Sequence, residues 1–279
     1  MSTADSLTSV LRYMRRATCR ALDAKTCFGQ AVEAGEGSEK RTIFWIHPAK
    51  NDGPKPVIFE IHGGGFALGD PRKEDALCEY VRDTFDVHVV GIHYRLAPEY
   101  PYPAALEDVV DAMTRVAQGE LLSIDSSQFY LLGYSAGANL ALSAAMACYE
   151  RSDFHIAGMA LHYPFLDASE PANPDTARDI DLPLDLMAAF NEWYVADDKP
   201  CNPRISPVFA SDDDLAALPL ISLRPVVGDS LFEQAKRLND RLTQVGNPAL
   251  WHPVEGMYHG YIEDAADVEP IALFLFRTP

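Results

Sequence analysis

The run FYLLGYSAGANLALSAA sets Ser135 between two glycines, directly after a strand-like segment and directly before a helix-like one. A serine hydroxyl held out from so sharp a turn is placed as a nucleophile, and a side chain at 133 or 137 would crowd the elbow. On its own, G-x-S-x-G also fits a plain structural turn. Serine is a poor nucleophile at neutral pH and needs a base, and the chain has eight histidines. His47 and His88 lie in or beside strand segments and read as structural. His93, His155, His162 and His252 flank predicted strands, where a ring can satisfy backbone groups. His62 opens a glycine run and can brace it. His259, in VEGMYHGY, sits in a glycine-flanked loop after the last predicted strand, and such a loop projects from the carboxyl edge of a parallel sheet toward Ser135.

The acid that orients the imidazole should follow another late strand, where it fixes the tautomer and stabilises the cation formed during attack. Asp229, in LISLRPVVGDSLFEQ, stands there. Glu255, just after a strand, is its rival, whereas Glu233 lies one helical turn onward and aims away. HGGGF at 62–66 offers backbone free of side chains, so the amides of Gly64 and Gly65 can face a developing oxyanion. Ala136, at a helix N-terminus directly after the serine, supplies a third amide. A phosphate-binding loop would carry a lysine and a serine or threonine, and a dinucleotide site would space its glycines into a helix. Neither pattern is present. The chain order serine, acid, histidine fits the parallel α/β solution to this chemistry.

The elements that must position these groups can be read along the chain. Residues 1–30 suggest one or two amphipathic helices. Strands are expected at 42–46, 57–61, 87–93, 129–132, 156–161, 220–226 and 250–254, with helices at 74–84, from Pro103 to about 117, at 136–149, 231–245 and 264–276. Apolar strands alternating with helices predict a mostly parallel sheet covered by helices on both faces. Between 163 and 211 the pattern breaks into proline- and aspartate-rich sequence with one helix-like piece at 184–195. Such an excursion is a lid or binding loop, or a tolerated insertion. We expect a single domain over 1–279, with a small cap built from about 1–30 and 165–205 above the serine.

The 279 residues are 48% hydrophobic, enough for one large core, and carry a formal charge of -18. That charge disfavours nucleic acid, anionic membranes and strongly anionic substrates, and also serves solubility. No segment reads as a signal peptide or a membrane span. The five cysteines, Cys19, Cys27, Cys78, Cys148 and Cys201, show no paired or metal-binding spacing. A cytoplasmic protein with reduced thiols and no bound metal is the expectation.

Taken together, HGGGF (62–66), YRLAPEYPYPAALED (94–108), GYSAG (133–137), RISPVFA (204–210), GDSLFEQ (228–234) and GMYHGY (256–261) resemble the hormone-sensitive lipase family of α/β hydrolases, in its bacterial carboxylesterase and acetyl esterase branch. The resemblance runs from about residue 40 to the C-terminus. It implies an eight-stranded sheet, a helical cap, hydrolysis of short-chain esters without a cofactor, and a possible homodimer. It carries the catalytic roles to Ser135, Asp229 and His259 and the oxyanion amides to Gly64, Gly65 and Ala136. Two positions depart from the family's pattern: Tyr134 stands where aspartate is common, and Ser230 where the acid is commonly followed by proline. In YRLAPE, Arg95 and Glu99 are expected to pair, with Pro98 setting the turn. The substrate expected is a small neutral carboxylic ester. A peptidase with the same three residues, or a non-catalytic binding protein on this fold, are the alternatives.

Overall fold

The computed structural model describes residues 3–34, 41–170, 183–263 and 269. Eight strands form one sheet in the order β1-β2-β4-β3-β5-β6-β7-β8. They are β1 (Gln30–Ala34), β2 (Arg41–His47), β3 (Lys55–Ile61), β4 (His88–Ile92), β5 (Ile124–Tyr134), β6 (Ile156–His162), β7 (Leu220–Arg224) and β8 (Leu250–Trp251). The first two strands run antiparallel to their neighbours, and from β4 onward the pairing is parallel. Parallel strands need crossovers, and the helices α2 (Asp75–Phe85), α3 (Ala104–Ala117), α4 (Ala136–Cys148) and α7 (Phe232–Gln244) supply them. α1 (Thr3–Asp23), α5 (Leu184–Val195) and the short α6 (Asp212–Ala216) complete the helices used below.

The central strands are apolar on both sides because both faces are covered. Phe59, Phe129, Leu131 and Leu161 pack under α3, α4 and α7 on one face. Ile58, Val89, Leu132 and Ala160 pack under α2 on the other. α4 has buried residues on every side, which explains its run of alanine and leucine: a bulkier helix would not seat this closely against β3 and β5.

The sequence reading of a mostly parallel sheet with helices on both faces holds, with local differences. Of the one or two helices expected at the N-terminus, the described residues hold one, α1. β1 was not anticipated: QAVEA has no strong alternation and forms an edge strand held by pairing with β2. β5 begins several residues earlier than its apolar core suggests. β7 and β8 are shorter than expected, although Val226 still bridges to Val254 beyond their ends. The expected helix at 264–276 lies outside the described residues apart from 269, as does 171–182 of the excursion. Within what is described of that excursion, α5 meets α1: Leu11 packs with Leu186, Phe190 and Ala67.

Candidate active site

β5 ends at Tyr134 and α4 begins at Ala136, so the single residue between them must reverse the chain. Ser135 does so at φ 52°, ψ −115°, a conformation that non-glycine residues rarely adopt. Its neighbours make this possible. A Cβ at Gly137 would lie 1.9 Å from the Ile61 carbonyl oxygen, and one at Gly133 would lie 2.6 Å from that of Gly137. The Ser135 amide donates to the His162 carbonyl at 3.0 Å, which ties the elbow to β6.

The loops after β7 and β8 bring the other groups to the same place. They are joined beyond the strand ends, where the Val227 amide donates to Val254 and the Val254 amide to Pro225. From these linked loops, His259 Nδ1 donates to Asp229 Oδ2 at 2.8 Å, and the Ser135 hydroxyl lies 2.9 Å from His259 Nε2. With Nδ1 donating to a carboxylate, Nε2 is left to accept, the tautomer a base requires. The Tyr163 ring stands edge-on to His259, 4.8 Å between centroids. Tyr261, its hydroxyl 2.8 Å from His162 Nδ1, anchors the chain just beyond.

Asp229 is 3% exposed. Burial pushes its carboxyl up, but the charge and hydrogen bond of His259, the Leu231 amide and the Ser230 hydroxyl outweigh burial and hold it below the usual carboxylate range. Ser230 thus has a definite contact, donating to Asp229 Oδ1 at 3.3 Å. Glu255 and Glu233 are both exposed, and the carboxylate at His259 is that of Asp229.

Gly64 and Gly65 have φ values of 110° and 59°. A Cβ at Gly64 would lie 2.4 Å from the Leu68 carbonyl oxygen, and one at Gly65 would lie 2.1 Å from the Phe190 ring, so both positions require glycine. Two cavities open on Ser135. One, of about 40 Å³, is lined by Gly65, Ala136 and His259 together with apolar Phe66, Phe165, Met187 and Phe190. The other, of about 250 Å³, is lined by Gly64, Gly65 and His259 with Thr18, Lys73, Glu74 and Tyr163. All six residues singled out from the sequence therefore converge.

His62 stacks on Tyr94 at 4.1 Å between centroids, and burial lowers its pKa to about 3, so the ring is neutral. Its Nδ1 lies 2.8 Å from the Gly63 carbonyl oxygen, a bracing contact. Tyr134 is buried among Ile58, Cys78 and Leu132, behind the elbow. The expected Arg95–Glu99 pair is not formed. Arg95 binds Asp108 through its backbone amide and Nε and reaches Glu107, because α3 presents both carboxylates to it. Glu99 instead pairs with Arg15 of α1 at 2.8 Å. Arg15 had no signal in the sequence beyond its place in an amphipathic helix.

A family model described as alpha/beta hydrolase fold matches residues 58–263, and the chain belongs to that family. Esterase LipI of Mycobacterium tuberculosis is 31% identical over 235 residues, which cover 83% of this chain and 73% of that protein. An acetyl-hydrolase of Streptomyces hygroscopicus is 31% identical over 221 residues, 78% of this chain and 71% of that one. Among solved structures, EstE1, a thermostable carboxylesterase cloned from a metagenomic library, superimposes with a TM-score of 0.80 at 26% identity, covering 94% of this chain and 92% of that one.

Proposed function

We propose that this chain is a serine carboxylesterase of the hormone-sensitive lipase branch, acting on short-chain neutral esters through an acyl-enzyme intermediate. Ester hydrolysis as the class of activity rests on the likeness to esterases in both sequence and fold. The observation that carries the finer reading is the hydrogen-bonded line from Ser135 through His259 to Asp229, opening on two cavities. In this reading Ser135 attacks the ester carbonyl while His259 Nε2 takes its proton and Asp229 stabilises the imidazolium. The amides of Gly64, Gly65 and Ala136 receive the negative charge on oxygen. His259 then protonates the departing alcohol, and water repeats the sequence to release the acid.

The small apolar cavity supports a short acyl group. α1 and α5, packed on each other beside the glycine loop, support a cap formed by the N-terminal helix and the 165–205 excursion. Among the described residues no helix is long and apolar enough to cross a membrane. The five unpaired cysteines support a reducing compartment such as the cytoplasm.

The test is a rate series over acetate, butyrate, octanoate and acetylated-sugar esters, with S135A alongside. Rates should be highest for short acyl groups and fall beyond roughly six acyl carbons, since each further methylene must find room in a small, largely apolar cavity. S135A should lose at least ~10⁴-fold in turnover. A preference for long-chain emulsions, or an active S135A, would overturn the reading.

A further inference from the structure

The guanidinium of Arg15 is spread over three acceptors on two segments remote in sequence. Nε donates to the Ala67 carbonyl at 2.8 Å, Nη2 donates to the Ala97 carbonyl, and Nη1 pairs with Glu99 at 2.8 Å. Those two carbonyls belong to one unit. The amides of Ala67 and Leu68 donate to the Gly64 carbonyl at 3.1 and 2.8 Å, closing the turn that shapes the glycine run. The Ala97 amide donates to the Phe66 carbonyl at 2.9 Å, fastening that turn to the segment after β4. Arg15 binds both ends of this fastening from outside.

The rest of α1 supports the same contact. Leu11, 1% exposed, packs on Ala67, and Met14 joins that cluster; Met14 and Thr18 line the larger cavity. These residues, three to seven apart, share the helix face that carries Arg15 to the loop. The Glu99 side chain is half exposed, so that ion pair contributes little by itself. The two charge-assisted bonds to carbonyls are the stronger part, and only a planar fork reaches both.

We propose that Arg15 is a positioning residue that fixes the Gly64 and Gly65 amides by tying α1 to the glycine loop, without touching the ester. The proposal rests on the reading of those amides as the oxyanion site. Two readouts separate the two claims. In the full-length protein, R15M and R15K should raise hydrogen exchange at the Ala67 and Leu68 amides at least ~10-fold relative to β5 and β6, whereas E99Q should leave it near wild type. In steady-state hydrolysis of a short ester, R15M should lower kcat ~10- to 100-fold with KM within about 3-fold, because a loosened oxyanion site costs transition-state rather than ground-state binding. R15K, which keeps charge and stem but not the fork, should fall between.

Unchanged exchange at Ala67 and Leu68 in folded R15M or R15K overturns the proposal whatever the enzyme hydrolyses. Faster exchange with an unchanged kcat overturns it too. A wild type that hydrolyses no ester, with exchange faster in R15M, would instead sink the functional reading and leave the tie between α1 and the loop standing.

Discussion

Asp229 and Glu60 are buried carboxyls on opposite sides of the strand that carries Ser135, and their surroundings differ sharply. Asp229, beyond β7, is 3% exposed and accepts from His259, Leu231 and Ser230. Glu60, on β3, is fully buried, and among the described residues neither of its oxygens has a hydrogen-bond partner. Burial pushes both carboxyls up. At Asp229 the donors reverse that push. At Glu60 the nearby Glu74 and Asp70 add to it, Lys73 opposes only in part, and the carboxyl is raised well above its ordinary range. Burial alone therefore does not mark a working acid. The donors around it decide whether it is held as an anion that can steady an imidazolium or as a neutral group behind the elbow.

Breaking the well-supplied side should have the largest effect. D229N should lose ~10⁴-fold in turnover, because an amide cannot hold His259 in the accepting tautomer at Nε2 or stabilise its cation. Near-normal rates in D229N would remove Asp229 from the mechanism. Its stability should also carry the sign of a depressed carboxyl: the contribution of Asp229 is present above the unfolded carboxylate range and is lost as pH falls through its lower folded value. The stability gap between wild type and D229N should therefore narrow in acid, as followed by denaturant unfolding.

Glu60 should show the opposite sign. Its folded pKa is raised, so between the ordinary carboxylate range and that raised value the native state holds a proton that the unfolded chain has released. Stability falls as pH rises through that window. E60Q has no such proton to lose, so its advantage over wild type should grow with pH, by at most about 1.4 kcal/mol per unit. Denaturant midpoints at pH 5 through 9 measure this, and parallel curves for the two proteins would refute it. Ester turnover in E60Q should stay within about 3-fold of wild type, since one neutral group replaces another behind the elbow and no bond to a reacting group is lost. Among the contacts of Asp229 the smallest loss belongs to S230A. It removes one 3.3 Å bond to Asp229 and leaves those from His259 and Leu231, so turnover should fall ~2- to 5-fold. A loss approaching that of D229N would show that the serine hydroxyl, not the imidazole, dominates the acid's surroundings.

The half of this comparison that was legible in the sequence is the half built on loops. Ser135, Asp229 and His259 each follow a strand that reads clearly, and parallel topology sends such loops to one edge of the sheet. Gly64 and Gly65 were legible because HGGGF follows a strand and offers backbone free of side chains; the nearness of Leu68 and Phe190 is the physical reason glycine is needed there. Glu60 was not, because the acidic neighbours that add to its burial, Glu74 and Asp70, come from beyond β3, and nothing in Val57–Ile61 announces them. The partners of Arg95 and Glu99 were misjudged for a related reason. Nearness in sequence favoured pairing them with each other, whereas tertiary packing supplied Asp108 to one and Arg15 to the other. The edge strand β1 depends on its neighbour rather than on its own pattern, so five weakly patterned residues gave no warning of it.

Covalent capture of the nucleophile tests the central claim most directly. An active-site phosphonate, followed by intact-mass and peptide mass spectrometry, should place one adduct on Ser135 and abolish ester hydrolysis in step with labelling. D229N should label far more slowly, and S135A should be unlabelled and inactive while still folded. An adduct on a different serine, with S135A still hydrolysing esters, would contradict the account.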